Sequence, residues 1–349
     1  GGEPSYRARQ IFQALYSARI SSWDEISSLP KSFRSWLVSS GYVIDRPKIA
    51  GKFHSQDGTL RYLVEVSDRE TVETVWMPEG DDGESGDGSE AGEEKRSSTD
   101  SFYRATICIS SQVGCAVNCH FCLTAALGVR RNLSAGEIVG QVLAVLEDRG
   151  VTPPRQRINL VFMGMGEPFL NYDNVLAACR TITDPDGYGL GARHVAISTA
   201  GWVPGIERLA DEPLQLRLAL SLHAPTDELR TTLMPVTKRF PLARLMRACR
   251  DYRARTGRRI FVEYLLLDGV NDSPAEAAQL ARLLGAGEGF HVNLIAYNPT
   301  AAGYNAASDA RVQAFARVLD RGGIQHSYRI SRGRDIDAAC GQLAVKTLR

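Results

Sequence analysis

The apolar positions of this chain recur with the period of a helix or of a strand, and the order of the two periods changes along it. Near the start, Ile11, Phe12, Leu15 and Tyr16 form a helical stripe within residues 6–19. Residues 30–40 open on Pro30 and stop before Gly41, the punctuation of a second helix. Residues 48–53, 60–66 and 71–77 alternate with period two, the first two turning at Asp57-Gly58, a hairpin signal. From residue 103, strand and helix patterns take turns. Strands are predicted over 105–111, 158–163, 194–199, 216–222, 260–267, 292–297 and 327–331. Helices are predicted over 135–148, 174–181, 204–210, 242–255, 274–284 and 310–320. Ser134 and Glu137 have the spacing of a capping box at the first of these.

Repeated strand–helix units predict an α/β fold with a parallel sheet. Six strands lie between 105 and 297, too few for an eight-stranded barrel, so a partial (β/α)6 barrel open on one side is expected. The organisation predicted is a small N-terminal α+β accessory domain over 1–78, a linker over 79–102, the barrel over 103–331 and a C-terminal segment over 332–349. No apolar run is long enough to span a bilayer and no leader pattern is present, so a cytoplasmic protein without membrane contact is expected.

Charge changes this picture in one place. The 349 residues carry a formal net charge of only +1, which argues against a nucleic-acid partner. Residues 79–94, EGDDGESGDGSEAGEE, hold eight acidic residues and no basic one. Setting them aside leaves +9 on the rest, a basic excess that permits an RNA partner. Their composition, without aromatic or branched apolar residues, predicts a disordered insertion.

The seven cysteines are an odd number, three of them packed into Cys115-Ala-Val-Asn-Cys119-His-Phe-Cys122. That pattern does not suit a secreted disulfide framework. Three thiolates within eight residues can wrap one metal centre. A four-iron cluster held by three ligands keeps one iron open, as a reactive centre requires. Zinc would need a fourth ligand, and a structural zinc site is the alternative on spacing alone. Met163-Gly-Met-Gly-Glu-Pro168 closes the next strand, with glycines that admit a ligand to the backbone and a carboxylate that accepts from an ammonium group. In 217–223 the leucines 218, 220 and 222 share one face, while Ser221 and His223 share the other with Arg217 and Ala219. Polar residues on one face of a covered strand suggest a cavity wall. Ser198 and Asn298 occupy comparable strand ends, the edge where ligands bind in parallel α/β folds. For each of these polar residues a hydrogen bond within the core is the alternative.

The cysteine spacing, with Phe121 before the last cysteine, resembles the radical S-adenosylmethionine (AdoMet) superfamily. The segments CISSQVGCAVNCHFC, MGMGEPFLN, ISTAG, SLHAP, NLIAYNP and RGRDIDAACGQL together resemble the RlmN/Cfr family of radical AdoMet RNA methyltransferases, over residues 60–344. The resemblance implies that Cys115, Cys119 and Cys122 hold a [4Fe–4S] cluster. It implies that Gly166, Glu167, Ser198, Ser221, Leu222, His223 and Asn298 bind AdoMet. Cys340 would carry a methyl group, Cys108 would resolve it through a transient disulfide, and Glu73 would accept a proton. Glu73 shares its strand phase with Val75 and Met77, so partial burial is predicted, a solvated strand glutamate being the alternative.

The implied reaction uses two AdoMet molecules. One methylates Cys340 by displacement. The other is cleaved reductively to a radical that takes hydrogen from the sulfur-bound methyl, and the resulting carbon radical adds to adenine. The partners implied are 23S rRNA at the peptidyl-transferase centre, tRNA beside the anticodon for some members, and an electron donor such as flavodoxin or ferredoxin; a monomer is expected. RlmN members act at C2 and Cfr members at C8. Glu167-Pro-Phe-Leu-Asn171 resembles the RlmN form, with Phe169 where leucine is usual, so C2 is expected. The competing expectations are C8 methylation and, in a different class, a non-catalytic metal-stabilised RNA-binding module. The remaining cysteines, Cys179 and Cys249, sit in helical patterns and read as core.

Overall fold

A computed structural model describes residues 3–78, 104–153, 156–300, 302–329, 331–339 and 341–343. The acidic stretch and Cys340 lie outside these residues. The predicted strands appear as β1 (Lys48–His54), β2 (Leu60–Glu65), β3 (Thr71–Pro78), β4 (Arg104–Cys108), β7 (Arg157–Phe162), β8 (Val195–Thr199), β9 (Arg217–Ser221), β10 (Ile260–Leu266), β11 (Phe290–Ala296) and β12 (Gln325–Arg329). A short hairpin that the periodicity did not reveal, β5 (Gln112–Gly114) with β6 (Val129–Asn132), forms a sheet of its own.

The ten long strands form one sheet, ordered β1-β2-β3-β4-β7-β8-β9-β10-β11-β12. From β4 to β12 neighbours are parallel, and β1 to β4 are antiparallel. The order ends at β1 and β12, so this is the open partial barrel that the strand count predicts, with β12 as a further parallel strand. The N-terminal strands extend the barrel's own sheet through the pairing of Val75 with Cys108. Every residue of β10 is buried, as expected for a strand covered on both faces.

The helices are α1 (Tyr6–Phe12), α2 (Lys31–Ser39), α3 (Leu123–Ala126), α4 (Ala135–Asp148), α5 (Tyr172–Thr183), α6 (Val203–Leu209), α7 (Asp227–Leu233), α8 (Leu242–Thr256), α9 (Pro274–Leu284) and α10 (Asp309–Arg321). The predicted capping box at α4 is present, with Ser134 Oγ accepting from Glu137 N at 3.2 Å. The helix predicted over 6–19 continues past Phe12 as a π-helical turn to Ser17. The strand predicted over 105–111 stops at Cys108, because Ser110 and Ser111 turn toward β3 and the 163–167 segment. Helix α3 is too short to leave a periodic signature. The first helices carry a small core of Ala14, Ile26, Leu29 and Leu37.

The hairpin between β1 and β2 reaches the C-terminal segment. Gly333 N donates to Asp57 Oδ2 at 2.8 Å, and Ser55 Oγ donates to Asp335 Oδ1 at 2.5 Å. Among the described residues no helix is long and apolar enough to cross a membrane.

Pro78 and Ala105 are register partners, so the chain leaves β3 and enters β4 at adjacent points. A two-residue hairpin turn can bridge such ends. Replacing residues 80–103 with Asn-Gly is expected to leave the circular dichroism spectrum unchanged and the unfolding midpoint within a few degrees of the parent. A large loss of either would show that the segment holds the sheet together.

Candidate active site

At the C-terminal ends of the parallel strands lies a cavity enclosing about 940 Å³ of atom-free space, its open mouth included. Cys115, Cys119 and Cys122 line it from the turn between β5 and α3. That turn is anchored at several points: Cys115 N donates to Gly128 O at 3.0 Å, His120 N to Leu233 O at 2.9 Å and Leu123 N to Gly341 O at 2.8 Å. Burial pushes the Cys115 thiol up to about 12 and Cys119 well above the usual thiol range. Such thiols stay protonated until a metal displaces the proton.

Glu167 faces the cysteines across the same cavity. Its Oε1 accepts from Phe169 N at 3.1 Å and its Oε2 from Ala200 N at 2.7 Å. Burial nevertheless raises its pKa to about 7, the hydrogen bonds opposing the shift. Gly164 and Gly166 line the cavity, as the motif suggests, but a second demand fixes them. A Cβ on Gly164 would stand 2.7 Å from Ile109 O, and one on Gly166, at φ +101°, would stand 2.6 Å from the Gln112 side chain. The bare glycine faces are pressed against residues 109–112.

Ser198 and Ser221 line the cavity with their hydroxyls 3.5 Å apart, and His223 lies beyond them. The His223 ring is buried edge-on to Phe121, and its Nδ1 accepts from Leu265 N at 3.0 Å. Desolvation, then the nearby Arg230, lower its pKa to about 3. It is therefore neutral, with the proton on Nε2. Leu222 is not brought to the site: strand alternation turns its side chain into the core. Asn298 is buried but does not line this cavity; its Nδ2 donates to Ser331 Oγ at 2.9 Å.

Cys108 and Ser331 line a second, smaller cavity, walled also by Val75, Arg332 and Ala339. Met163 and Ile295 belong to both cavities, so the two adjoin. Glu73 is fully buried, beyond the partial burial predicted, and lines neither cavity. Its Oε1 accepts from Arg61 Nη1 at 2.8 Å, because Arg61 is opposite Val75 and thus diagonal to Glu73.

Several functional residues were missed at the sequence level. Thr199, Ala200, Met234, Leu265 and Tyr297 line the first cavity from strand ends and loops. Glu263, the one charged side chain in the apolar run of β10, was a readable signal; it lines the cavity and accepts from Asn293 Nδ2 at 2.8 Å. Arg230, on the short α7, left no signal.

Comparison with known proteins now decides the family. Residues 109–281 match the radical SAM superfamily. The chain is 50% identical to a probable dual-specificity RNA methyltransferase RlmN of Koribacter versatilis, over 98% of this chain and 96% of that protein. It is 42% identical to a ribosomal RNA large subunit methyltransferase N of Nitrosopumilus maritimus, over 98% and 93%. The chain belongs to the RlmN family of radical SAM RNA methyltransferases. Its fold matches the crystal structure of a radical SAM methyltransferase from Sphaerobacter thermophilus, with TM-score 0.85, 42% identity and coverage of 99% and 94%.

The residues fit the cofactors of the RlmN family. Three half-buried cysteines line a cavity whose other walls offer a carboxylate, two hydroxyls and a neutral imidazole. Among the described residues no group of three His, Cys, Asp or Glu side chains is placed to hold a single metal ion.

Phe169 packs closely against α6. A Cβ on Gly205 would fall 2.3 Å from Cγ and 2.4 Å from Cβ of Phe169, atoms that leucine shares, so the bare glycine lets α6 approach whichever of the two stands at 169. Gly205→Ala is expected to destabilise by about 1–3 kcal/mol through overpacking. Phe169→Leu keeps the atoms that the new methyl would meet, so it is expected to recover little of that loss in the double variant, as chemical denaturation would measure; near-complete recovery would place the clash on the outer ring instead. A second expectation concerns pH. An ammonium group needs Glu167 ionised, and this carboxyl is protonated below about pH 7. Affinity for AdoMet is therefore expected to rise with pH up to neutrality, by up to about tenfold per unit. Calorimetric titration would show that slope flattened in Glu167→Gln.

Proposed function

We propose that this chain methylates C2 of an adenosine in 23S rRNA at the peptidyl-transferase centre, and of an adenosine beside the anticodon in tRNA. One observation carries the reading. The neighbours of Cys340 line two adjoining cavities, Gly341 with the three cysteines and Ala339 with Cys108. The residues that flank the expected methyl carrier in sequence thus belong to the walls that hold the cluster cysteines and the resolving thiol. The RNA specificity is supported by the names of the relatives, which cover large-subunit rRNA and a dual specificity.

When bound at Cys115, Cys119 and Cys122, a [4Fe–4S] cluster supplies the electron that cleaves AdoMet to a 5′-deoxyadenosyl radical. Glu167 would accept from the AdoMet ammonium group, with Gly166 leaving the backbone approachable. Ser198, Ser221 and the Nε2–H of His223 offer donors to its remaining polar atoms. Asn298 would act through its hydrogen bond to Ser331, at the wall of the second cavity. Arg329 and Arg332 on that wall suit a nucleotide phosphate. Glu73 would accept the proton released from the adenine carbon, and its ion pair with Arg61 stabilises the carboxylate that this task requires. With one electron passed from the adduct radical to an electron carrier, attack of the Cys108 thiolate on the Cys340 sulfur would break the carbon–sulfur bond, free the methylated RNA and leave a disulfide. A donor such as flavodoxin or ferredoxin would supply the electrons, and reduction of the disulfide would reset the pair.

The test is mass spectrometry of nucleosides from RNA modified by the reconstituted protein, against both isomer standards. The expected product is 2-methyladenosine, and 8-methyladenosine would overturn the regiochemistry. Cys340→Ala is expected to abolish methylation while retaining full iron content. Methylation persisting in that variant would defeat the proposed carrier.

A further inference from the structure

Arg230 is among the largest fully buried side chains of the molecule. Its guanidinium donates through Nε to Leu222 O at 3.1 Å, through Nη2 to Ala200 O at 2.7 Å and Ser221 O at 3.1 Å, and through Nη1 to Thr237 Oγ1 at 2.9 Å. All four acceptors are neutral oxygens. Among the described residues no carboxylate lies within ion-pair distance of it. A buried cation without a counterion is costly, and a neutral donor could hold these oxygens more cheaply. Leu233 and Met234, at the end of α7, share one apolar cluster with Phe121, against which Cys119, Cys122 and Ala200 pack. Helix α7 itself is fastened to the cysteine turn through His120 N and Leu233 O, at 2.9 Å.

Three of the four oxygens held by Arg230 lie at the ends of β8 and β9, which present Ser198, Ala200, Ser221 and His223 to the cavity. Packing leaves no slack around the fork: a Cβ on Gly201 would stand 3.2 Å from Nη2. We infer that Arg230 is a positioning residue for both cofactors, its fork fixing the strand ends on the AdoMet side and its charge favouring the reduced cluster on the cysteine side. The inference rests on the assignment of Cys115, Cys119 and Cys122 as cluster ligands. A fixed positive charge in a low-dielectric site stabilises the added electron, and net charge near a cluster is a determinant of its potential.

The charge and the fork separate experimentally. Full-length protein carrying Arg230→Met or Arg230→Lys is reconstituted anaerobically, and three quantities are read: iron content, midpoint potential by electron paramagnetic resonance, and AdoMet affinity. Arg230→Met is expected to bind the full iron complement with a midpoint potential more negative than the parent. Arg230→Lys, which keeps the charge and loses the fork, is expected to hold the parent potential while AdoMet affinity falls about tenfold, the size of one or two lost hydrogen bonds. An unchanged potential in Arg230→Met overturns the charge role. Should that variant fail to fold, a potential in Arg230→Lys displaced from the parent's overturns it instead. Unchanged AdoMet affinity in Arg230→Lys overturns the role of the fork. Failure of the parent protein to bind iron would instead sink the ligand assignment itself.

Discussion

The site depends on the lacing of residues 109–112 to residues 163–167. Gly164 N donates to Ile109 O at 3.1 Å, Ser111 N to Met165 O at 2.8 Å, Met165 N to Ser110 Oγ at 2.9 Å and Glu167 N to Gln112 Oε1 at 2.9 Å. Asn171 closes the lace from beneath, its Nδ2 donating to Ser111 O and Leu133 O at 2.8 and 2.7 Å. The cysteine turn continues from one strand of this lace, and Glu167 from the other. Two elements of the candidate site, from different strand–helix units, are therefore held by backbone hydrogen bonds together with the buried side chains of Ser110, Gln112 and Asn171. Glycine at 164 and 166 is the condition for that closeness.

What was legible in the sequence was local. Three cysteines in one turn and a carboxylate in a glycine-rich strand end both announce themselves within eight residues. Strand phase correctly separated Ser221 and His223 from the leucines, and the same alternation explains why Leu222, contiguous with them, faces the core. Arg230 shows the opposite case: its significance comes from oxygens at residues 200, 221, 222 and 237, which only the folded chain assembles. The burial of Glu73 likewise depends on its diagonal neighbour across β2. Hairpin β5–β6 and helix α3 escaped because elements of three or four residues hold too little periodicity to be seen.

The electrostatics of the cavity are organised by desolvation more than by charge pairing. Burial lifts Glu167 and two thiols, and it lowers His223. Each group is left nearer its neutral form than water would leave it. A cavity of this kind gains charge only as its ligands arrive.

The clamp between the β1–β2 hairpin and the C-terminal segment has a temporal consequence. Its hydrogen bond from Gly333 to Asp57 spans 276 residues. A chain made from its N-terminus can lay down the barrel strands one after another while still being synthesised. The wall that carries Gly333 and Asp335 closes only after that segment has been made, long after the hairpin it clamps.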